Sequence, residues 1–562
     1  MKRLLLFLAA FAAIASTAFA QVSTVRGSVK DDSGDPLAGV SVLVKGTQVG
    51  TVSDVDGTFL LHGVPASGKT LVFSFIGMET QEVPVQPTVN VILYPDSEAL
   101  EEAVVTIAYG AAKKSTLTGA IASVSSEQLV NRPTSSVTSA LEGTVSGVQI
   151  NSTIGSPGND PHVYIRGVGT INGSSSILYI LDGVAFGGNI SDLNPADIES
   201  ITVLKDAASA ALYGNRASNG VILITTKKGS QGRLQMNLDI KQGVYQRGIP
   251  EYKLADARTW MEIYWQAMKN EQIANGSTPE EAAAYTSANL IADKVWINVF
   301  DKSADKLFDE NGKMVPDARI SDNFADDLDW YKFGLRNGRR SEYNFSGNGA
   351  TEKSDYFFSL GYLDENGYVT NSGFERFSAR ANVNIRPVNW FKGGLNINAT
   401  HQNYSNTNGN ESGASSYTNL FMFARQIAPV YPAHLHYNEL GEANYGQYIL
   451  DANGNKQWDG GDYLNADGAT VQTRNQYPDR HVHWENELNK DVTFRNTMNA
   501  TATADFYFLK DFTFTVTGNM ATRIDAEKTY NSAVIGDGES NNGRGGRYEY
   551  NYVNWQLQEH LR

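Results

Sequence analysis

Residues 198–229 read IESITVLKDAASAALYGNRASNGVILITTKKG, and this stretch decides the fold. Ile201 and Val203, with their apolar neighbours, form a short β-run. Asp206 can then cap a helix whose interior is nearly all Ala, Ser and Leu. Gly214 stands where that helix must stop. Gly220 releases the chain into VILITT, a β-branched run too apolar for a strand with one wet face. The expectation is a buried strand pair with a helix laid across it.

Upstream lie LEGTVSGVQI (141–150), a turn at 155–160, VYIRGVGTING (163–173) and ILYILDGVAF (177–186). Together with 198–229 they make about five β-runs and two short helices, a compact mixed α/β unit. Arg166 within an apolar run and Arg216 just after the helix stand out, because a buried guanidinium needs a carboxylate partner. Asp182 and Glu199 are the nearby candidates.

The wording ITVLKDAASAALYGNRASNGVILITTKKG resembles the end of the plug domain of TonB-dependent outer-membrane transporters, and the SusC/RagA-type branch in particular. The resemblance implies a plug over 111–229 feeding into a membrane barrel. It also implies arginines that meet carboxylates on the barrel wall. Ion pairing within the plug, among Arg166, Asp182, Glu199 and Arg216, is the structural alternative.

At 562 residues the chain is long enough for three or four domains. A net charge of -15 leaves no basic stripe to neutralise phosphates, which excludes nucleic acid as the partner. With no cysteine there is no disulfide frame, thiolate chemistry, Cys-based metal site or lipoprotein anchor. Aromatic residues at 10%, with 52 Gly and 27 Tyr, lean toward β-structure.

Residues 1–20 carry Lys2 and Arg3, an apolar run from Leu4, and Ala18-Phe19-Ala20, the layout of a cleavable signal peptide. No later segment approaches the roughly 18 continuous apolar residues of a spanning helix. The mature protein is therefore expected outside the cytoplasm, either soluble or as a membrane β-barrel.

Residues 21–96 show short β-rich runs punctuated at Ser33-Gly34-Asp35-Pro36, Gly46-Thr47 and Asp56-Gly57, as in a small antiparallel sandwich. This segment looks like the carboxypeptidase-regulatory-type domain found ahead of SusC-type plugs. Asp31, Asp32, Asp54 and Asp56 suit turn chemistry better than calcium. In the linker 97–110, Glu101 and Glu102 precede Ala103, Val104, Val105 and Thr106, a β-prone run with no partner in the immediate sequence. The resemblance makes this the TonB box, which a periplasmic partner pairs with by β-augmentation and pulls. An ordinary plug strand or linker is the plain alternative.

After residue 229 the hydrophobic period becomes two. Leu234, Met236, Leu238 and Ile240 alternate with Gln235, Asn237, Asp239 and Lys241, and similar runs recur at 343–347, 358–362, 379–385, 395–399, 498–506, 512–520 and 548–552. The polar partners are mostly Asn, Thr and Ser, which suits a wet barrel interior behind a lipid-facing exterior. Short connections (351–353, 387–390, 509–510) alternate with longer ones (246–339, 364–373, 404–492, 523–546), which places the long loops outside the cell.

The first long loop should hold helices, one capped by Asp256 and one opened by a Thr278-Pro279-Glu280-Glu281 box, with Trp260, Tyr264 and Trp265 in the loop core. The second holds His434 and His436, then His481, His483 and Glu485 at period two on an extended segment, a spacing that could bind Zn²⁺, but solvated loop groups are the expectation. Residues 451–462 imitate a calcium loop but carry Lys456 where that motif needs Gly, so a turn is expected.

A plug of about 120 residues has a radius of gyration of roughly 13–14 Å. It needs a barrel of something like the 22-stranded class. With about eight strands in 230–562, the chain is expected to be the amino-terminal portion of a transporter, truncated or part of a split gene. The fold class is thus a small all-β sandwich, a mixed α/β plug and part of an antiparallel transmembrane β-barrel.

The resemblance implies energy-coupled import of an oligosaccharide or peptide. TonB, a SusD-type surface lipoprotein and outer-membrane lipid would be the partners. A secreted or surface-exposed adhesin is the alternative. No nucleophile, base and oxyanion grouping points to an enzyme, and neither a cofactor nor a metal is expected.

Overall fold

The computed structural model describes residues 24–562 except 33, 66–67, 76–77, 95–103, 108–109, 114–120, 131, 133, 152–155, 207–209, 231, 249, 406–416, 439–442, 465–469 and 510. The expected signal peptide, and Glu101, Glu102 and Ala103, lie outside the described residues.

The first unit is a β-sandwich. Thr58–His62, Thr24–Lys30 and Thr88–Ile92 form one sheet; Gly50–Val52, Ser41–Val44, Thr70–Ser74 and Gln81–Pro84 form the other. Strict alternation sends Val25, Val29, Val42, Phe59, Leu71 and Val91 into the core between them. The expected all-antiparallel pattern needs correction, because Thr24–Lys30 runs parallel to Thr88–Ile92. Those strands are far apart in sequence, so no hairpin constrains their direction. Asp31 accepts the backbone N–H of Asp35 at 2.8 Å, the turn chemistry expected of it.

The stretch 198–229 builds the centre of a second sheet. Ile198–Leu204 pairs antiparallel with Val221–Thr226 and, on its other edge, with Ile121–Ser125. Val221–Thr226 then runs parallel to Leu178–Leu181. Ile222 and Ile224 point into a core with Val124, Leu129, Leu141 and Ile201, and Val221, Leu223 and Thr226 are buried as well, as the apolar run requires. The helix laid across this pair is a correction: Ala211–Ala217 is 3-10, broken at Gly214, whose φ of 67° no right-handed helix accepts.

The third element is a single meander of eight antiparallel strands: Gly232–Tyr245, Gly338–Thr351, Ser354–Asn366, Gly373–Val388, Phe391–Ser405, Lys490–Phe508, Phe512–Asn531 and Arg544–Leu561. They are 13 to 20 residues long, against the roughly 9–11 needed to cross a bilayer. One face carries Leu238, Phe377, Leu395 and Met498, all exposed, and the other carries buried Arg376, Ser378, Arg380, Asn398 and Thr400. The apolar face is bounded by two aromatic rows. Tyr343, Tyr362 and Phe377 mark one, with centroids 6.4 and 4.5 Å apart. Phe391, Phe506 and Phe514 mark the other, at 5.4 and 6.5 Å. Phe377 pairs with His401, which is ten positions from Phe391. Ten residues span about 33 Å along a strand, or about 25 Å along the normal at roughly 40° tilt, the height of an outer-membrane apolar band.

The long connections pack into a cap around Met261, Trp265, Phe324, Trp330, Phe423, Tyr431 and Val482. Its helices start where the sequence puts their caps: Asp256 accepts from Thr259 N at 2.8 Å, and Thr278 and Glu281 complete a capping box. Trp265 is buried, with its N–H on Ser287 Oγ at 3.0 Å. Residues 451–455 form the expected turn, closed by Asp451 on the N–H groups of Asn453 and Asn455.

The histidines depart from expectation. His434, His436, His481, His483 and Glu485 are all buried, and Val482–Leu488 is helical with His481 as its N-cap. Aromatic neighbours exclude water: Trp458 stacks on His434 at 4.3 Å, and Trp330 on His483 at 5.8 Å. Burial holds the imidazole of His483 down to about 4, hence neutral, while its Nε2 meets Trp330 O at 2.7 Å.

Candidate functional site

The polar face of the meander faces the α/β unit, and the seam between them holds a set of buried charges. It is built from two simple patterns. In Gly373–Val388, period two puts Phe377, Ala379 and Ala381 on the apolar side and Arg376, Ser378, Arg380 and Asn382 on the other. In the α/β unit, Leu178–Leu181 and Val184–Ala185 form a hairpin whose two-residue turn is Asp182-Gly183, both with positive φ (48° and 89°). Asp-Gly suits such a turn. It also presents a carboxylate at the sheet's edge.

Arg380 and Asp182 meet there at 3.0 Å. Asp182 accepts Thr226 N at 2.9 Å, Thr226 Oγ1 at 2.7 Å and Asn396 Nδ2 at 2.6 Å. Arg380 Nη2 donates to Thr226 Oγ1 at 2.6 Å and to Asn396 Oδ1 at 2.7 Å. Four residues back along the same strand, fully buried Arg376 donates from Nη1 to the carbonyls of Ser135, Ser191 and Leu193 at 3.0–3.1 Å. Gln402 Nε2 reaches Ser191 O at 2.9 Å, and Arg340 Nη2 reaches Thr134 O at 3.1 Å while pairing with Glu342 and Glu365.

Farther round the wall the contacts thin out. Arg495 stands 3.8 Å from Asp192, Arg523 Nη1 donates to Asn189 Oδ1 at 3.0 Å, and Gln556 Nε2 to Ala185 O at 2.8 Å. The plug edge carries buried carboxylates along this seam. Burial raises Asp160, against hydrogen bonds from Ser191 and Ser136, and pushes Asp192 up to about 6. Asp197 is likewise raised by burial, opposed by a hydrogen bond from Ser359.

Of the residues picked from sequence, Asp182 sits in this seam. Arg166 does not: it is exposed, just beyond the strand His162–Ile165, at φ 60° in a turn with Gly167. Arg216 and Glu199 are exposed as well. The polarity expected from the resemblance, plug arginine to wall carboxylate, is reversed at Asp182, where the plug supplies the carboxylate and the wall the guanidinium. Sequence reasoning missed Arg340, Arg376 and Arg380, whose signal was an arginine on the polar side of an alternating strand. Val104–Ile107, which contains Val104, Val105 and Thr106, pairs with Gly110–Lys113 in a two-stranded sheet, a partner the sequence did not suggest. Among the described residues no group of His, Cys, Asp and Glu could hold a metal ion.

A plug laced into a curved, outwardly apolar sheet can now be set against known proteins. Residues 113–221 match the TonB-dependent Receptor Plug Domain, and 25–105 match the CarboxypepD_reg-like domain. TonB-dependent receptor SusC of Bacteroides thetaiotaomicron is 36% identical over 416 residues, covering 72% of this chain and 36% of that protein. The chain belongs to the SusC/RagA-type TonB-dependent receptors. TonB-dependent receptor P39 of Formosa agariphila is 33% identical over 384 residues, covering 68% of this chain and 33% of the relative. The RagAB peptide importer in its open-open state shares the fold at a TM-score of 0.57 and 23% identity, covering 82% of this chain and 46% of that one. The chain thus spans about a third of the length of the curated relatives it matches. TonB-dependent receptors are outer-membrane β-barrel proteins. Among the described residues no helix is long and apolar enough to cross a membrane.

Proposed function

We propose that this chain is the plug-bearing portion of an importer in the cell outer membrane, exported by the signal peptide at 1–20. TonB in the periplasm energises it, and a SusD-type surface lipoprotein works with it on an oligosaccharide or peptide. One observation carries the reading: the same strands present an apolar face about 25 Å tall between two aromatic rows and a guanidinium-lined face locked onto the plug. A soluble adhesin would have no use for the first face, and a static pore none for the second.

Glu101, Glu102, Ala103, Val104, Val105 and Thr106 form the TonB box. Val104–Ile107 already belongs to a hairpin with Gly110–Lys113, so the partner strand extends that hairpin or replaces its second strand. Asp182, with Arg380 opposite, belongs to the plug–barrel ion pairing. Arg166 and Arg216, with Glu199, lie at the exposed plug surface, outside that pairing.

The test is uptake of labelled oligosaccharide and peptide pools by cells carrying the intact gene. Val104→Pro or Val105→Pro removes a backbone donor from the pairing edge, so uptake should fall to the TonB-deficient level while surface binding persists. Undiminished uptake refutes the TonB-box assignment. Recovery of the product in the soluble periplasm, with no heat-modifiable band in extracted outer membranes, refutes the location.

A further inference from the structure

Within the cap, His436 is buried with an acceptor at each ring nitrogen. Nδ1 lies 2.7 Å from Gly446 O, and Nε2 lies 2.9 Å from Asp327 Oδ2. Turning the ring over would set carbon atoms against the same two oxygens, well inside the roughly 3.3–3.6 Å of a C–H···O contact. His481 is placed differently. Its Nε2 donates to Ala433 O at 2.8 Å while its Nδ1 accepts Trp484 N at 3.1 Å, one donor and one acceptor, as a neutral ring offers.

Asp327, fully buried, is the other half of the contact. Its Oδ1 accepts His434 Nδ1 at 2.6 Å, and its Oδ2 also accepts His434 N at 2.8 Å. Burial pushes this carboxyl up, but the hydrogen bonds from His434 and His436 outweigh that and hold it below the usual carboxylate range. The proton between Oδ2 and Nε2 therefore sits on the ring, and His436 is an imidazolium that donates at both ends. Without it, two lone pairs would face each other at 2.9 Å with no water to separate them. The rings of Phe324 and Tyr448, centred 4.8 and 4.3 Å away, suit a cation there. The other polar groups turned toward it are Tyr445, packed on Phe324, Lys456, over the Tyr448 ring, and Asp459, which is paired with Arg474 at 2.9 Å.

The contact joins two parts of the chain that are far apart in sequence. Asp327 closes a turn on Phe324 O in the first long connection. His434 and His436 belong to the second, where Gly446, at a φ of 77°, turns its carbonyl onto the ring. We propose that Asp327 and His436 form a proton-held clasp between the two long connections, which keeps the cap closed and releases it as pH rises. When the connections part, both groups return to water, where an imidazole sheds its proton above about 6.5. Closing therefore takes up one proton at any pH above that value. The closed form is favoured in full below it, and opening becomes about tenfold easier with each pH unit above about 7.

The test uses the purified full chain in detergent and reads two quantities. The first is amide hydrogen exchange over 433–448 between pH 7 and 9, corrected for the intrinsic pH dependence of exchange. Protection should fall about tenfold per pH unit in the wild type. His436→Asn keeps a donor for Gly446 O and has nothing to titrate, so its protection should be lower at pH 7 and level from there to pH 9. The second is the set of imidazole ¹⁵N shifts of the 8 histidines at pH 8. One ring should carry hydrogen on both nitrogens, and that signal should vanish in His436→Asn. Wild-type protection that does not change with pH, an equal slope in the variant, or no doubly protonated ring at pH 8 each overturns the clasp. Should His436→Asn fail to fold, the wild-type slope and spectrum decide it.

Discussion

The wall meets the plug along two stretches of different character. Strands Gly338–Thr351 through Phe391–Ser405 hold it with Arg340, Arg376, Arg380 and Gln402, each spent on buried plug oxygens. Strands Lys490–Phe508 through Arg544–Leu561 touch it at Asp192, Asn189 and Ala185 around a cavity. The first stretch aims donors at carbonyls and a carboxylate that would otherwise be buried and unmet. The second leaves a gap. Under the import function proposed above, the dense stretch fixes the register of the plug, and the sparse one is where a pull would part it from the wall at least cost.

The contrast breaks most clearly at Arg380. Removing one partner of a buried ion pair costs about 3–5 kcal/mol, because the other charge stays behind. Arg380→Ala should therefore loosen the plug by that order, read as a lower urea midpoint for protease cleavage within 121–226. Asp182→Ala in the same background should cost less than it does alone, since the two residues are directly coupled. Arg376→Ala comes next, at about 1–3 kcal/mol, from stranding the carbonyls of Ser135, Ser191 and Leu193. If both variants leave the cleavage midpoint unchanged, the dense stretch is not what holds the plug.

The sparse stretch should differ in its response to pH. Burial raises Asp192 to about 6, above its unfolded value, so its contribution is fully present below about 4 and is lost as pH rises through 6. Going from pH 7 to pH 5 should tighten the plug by about 1 kcal/mol, since one unit of pKa is worth about 1.4 kcal/mol. Asp160 and Asp197 are raised in the same direction, so the informative quantity is the part of the slope that Asp192→Asn removes. An equal slope in wild type and Asp192→Asn would remove Asp192 from the account.

How much of this could be read from sequence follows from the range of each signal. The period-two runs and the alternation of short and long connections are local, and they yielded the eight strands and their order. The Asp182-Gly183 turn is just as local, yet 177–186 reads from sequence as a single β-run, and Asp182 stands out there only as a carboxylate near Arg166 and Arg216. Its partner was not legible: Arg380 lies 198 positions away, and periodicity says which face Arg380 occupies but not what lies opposite. Arg166 misled because it follows an apolar run, whereas the Arg-Gly step that ends the strand turns its side chain to solvent. The buried histidines misled because a loop of 406–489 was taken to be wet. Its aromatic residues join those of the first long connection in one shared core.

The smallest effect sharpens the comparison most. Gln556 donates a single hydrogen bond to Ala185 O, and Arg523, a quarter exposed, a single one to Asn189. The Gln556 bond should contribute about 0.5–1.5 kcal/mol, and the partly exposed guanidinium less than that. Gln556→Ala and Arg523→Ala should therefore shift the cleavage midpoint several-fold less than Arg380→Ala does. The two ties flank the cavity without a shared partner on the plug, so the double variant should be nearly additive. A double variant as loose as Arg380→Ala would mean that the plug is held equally all round.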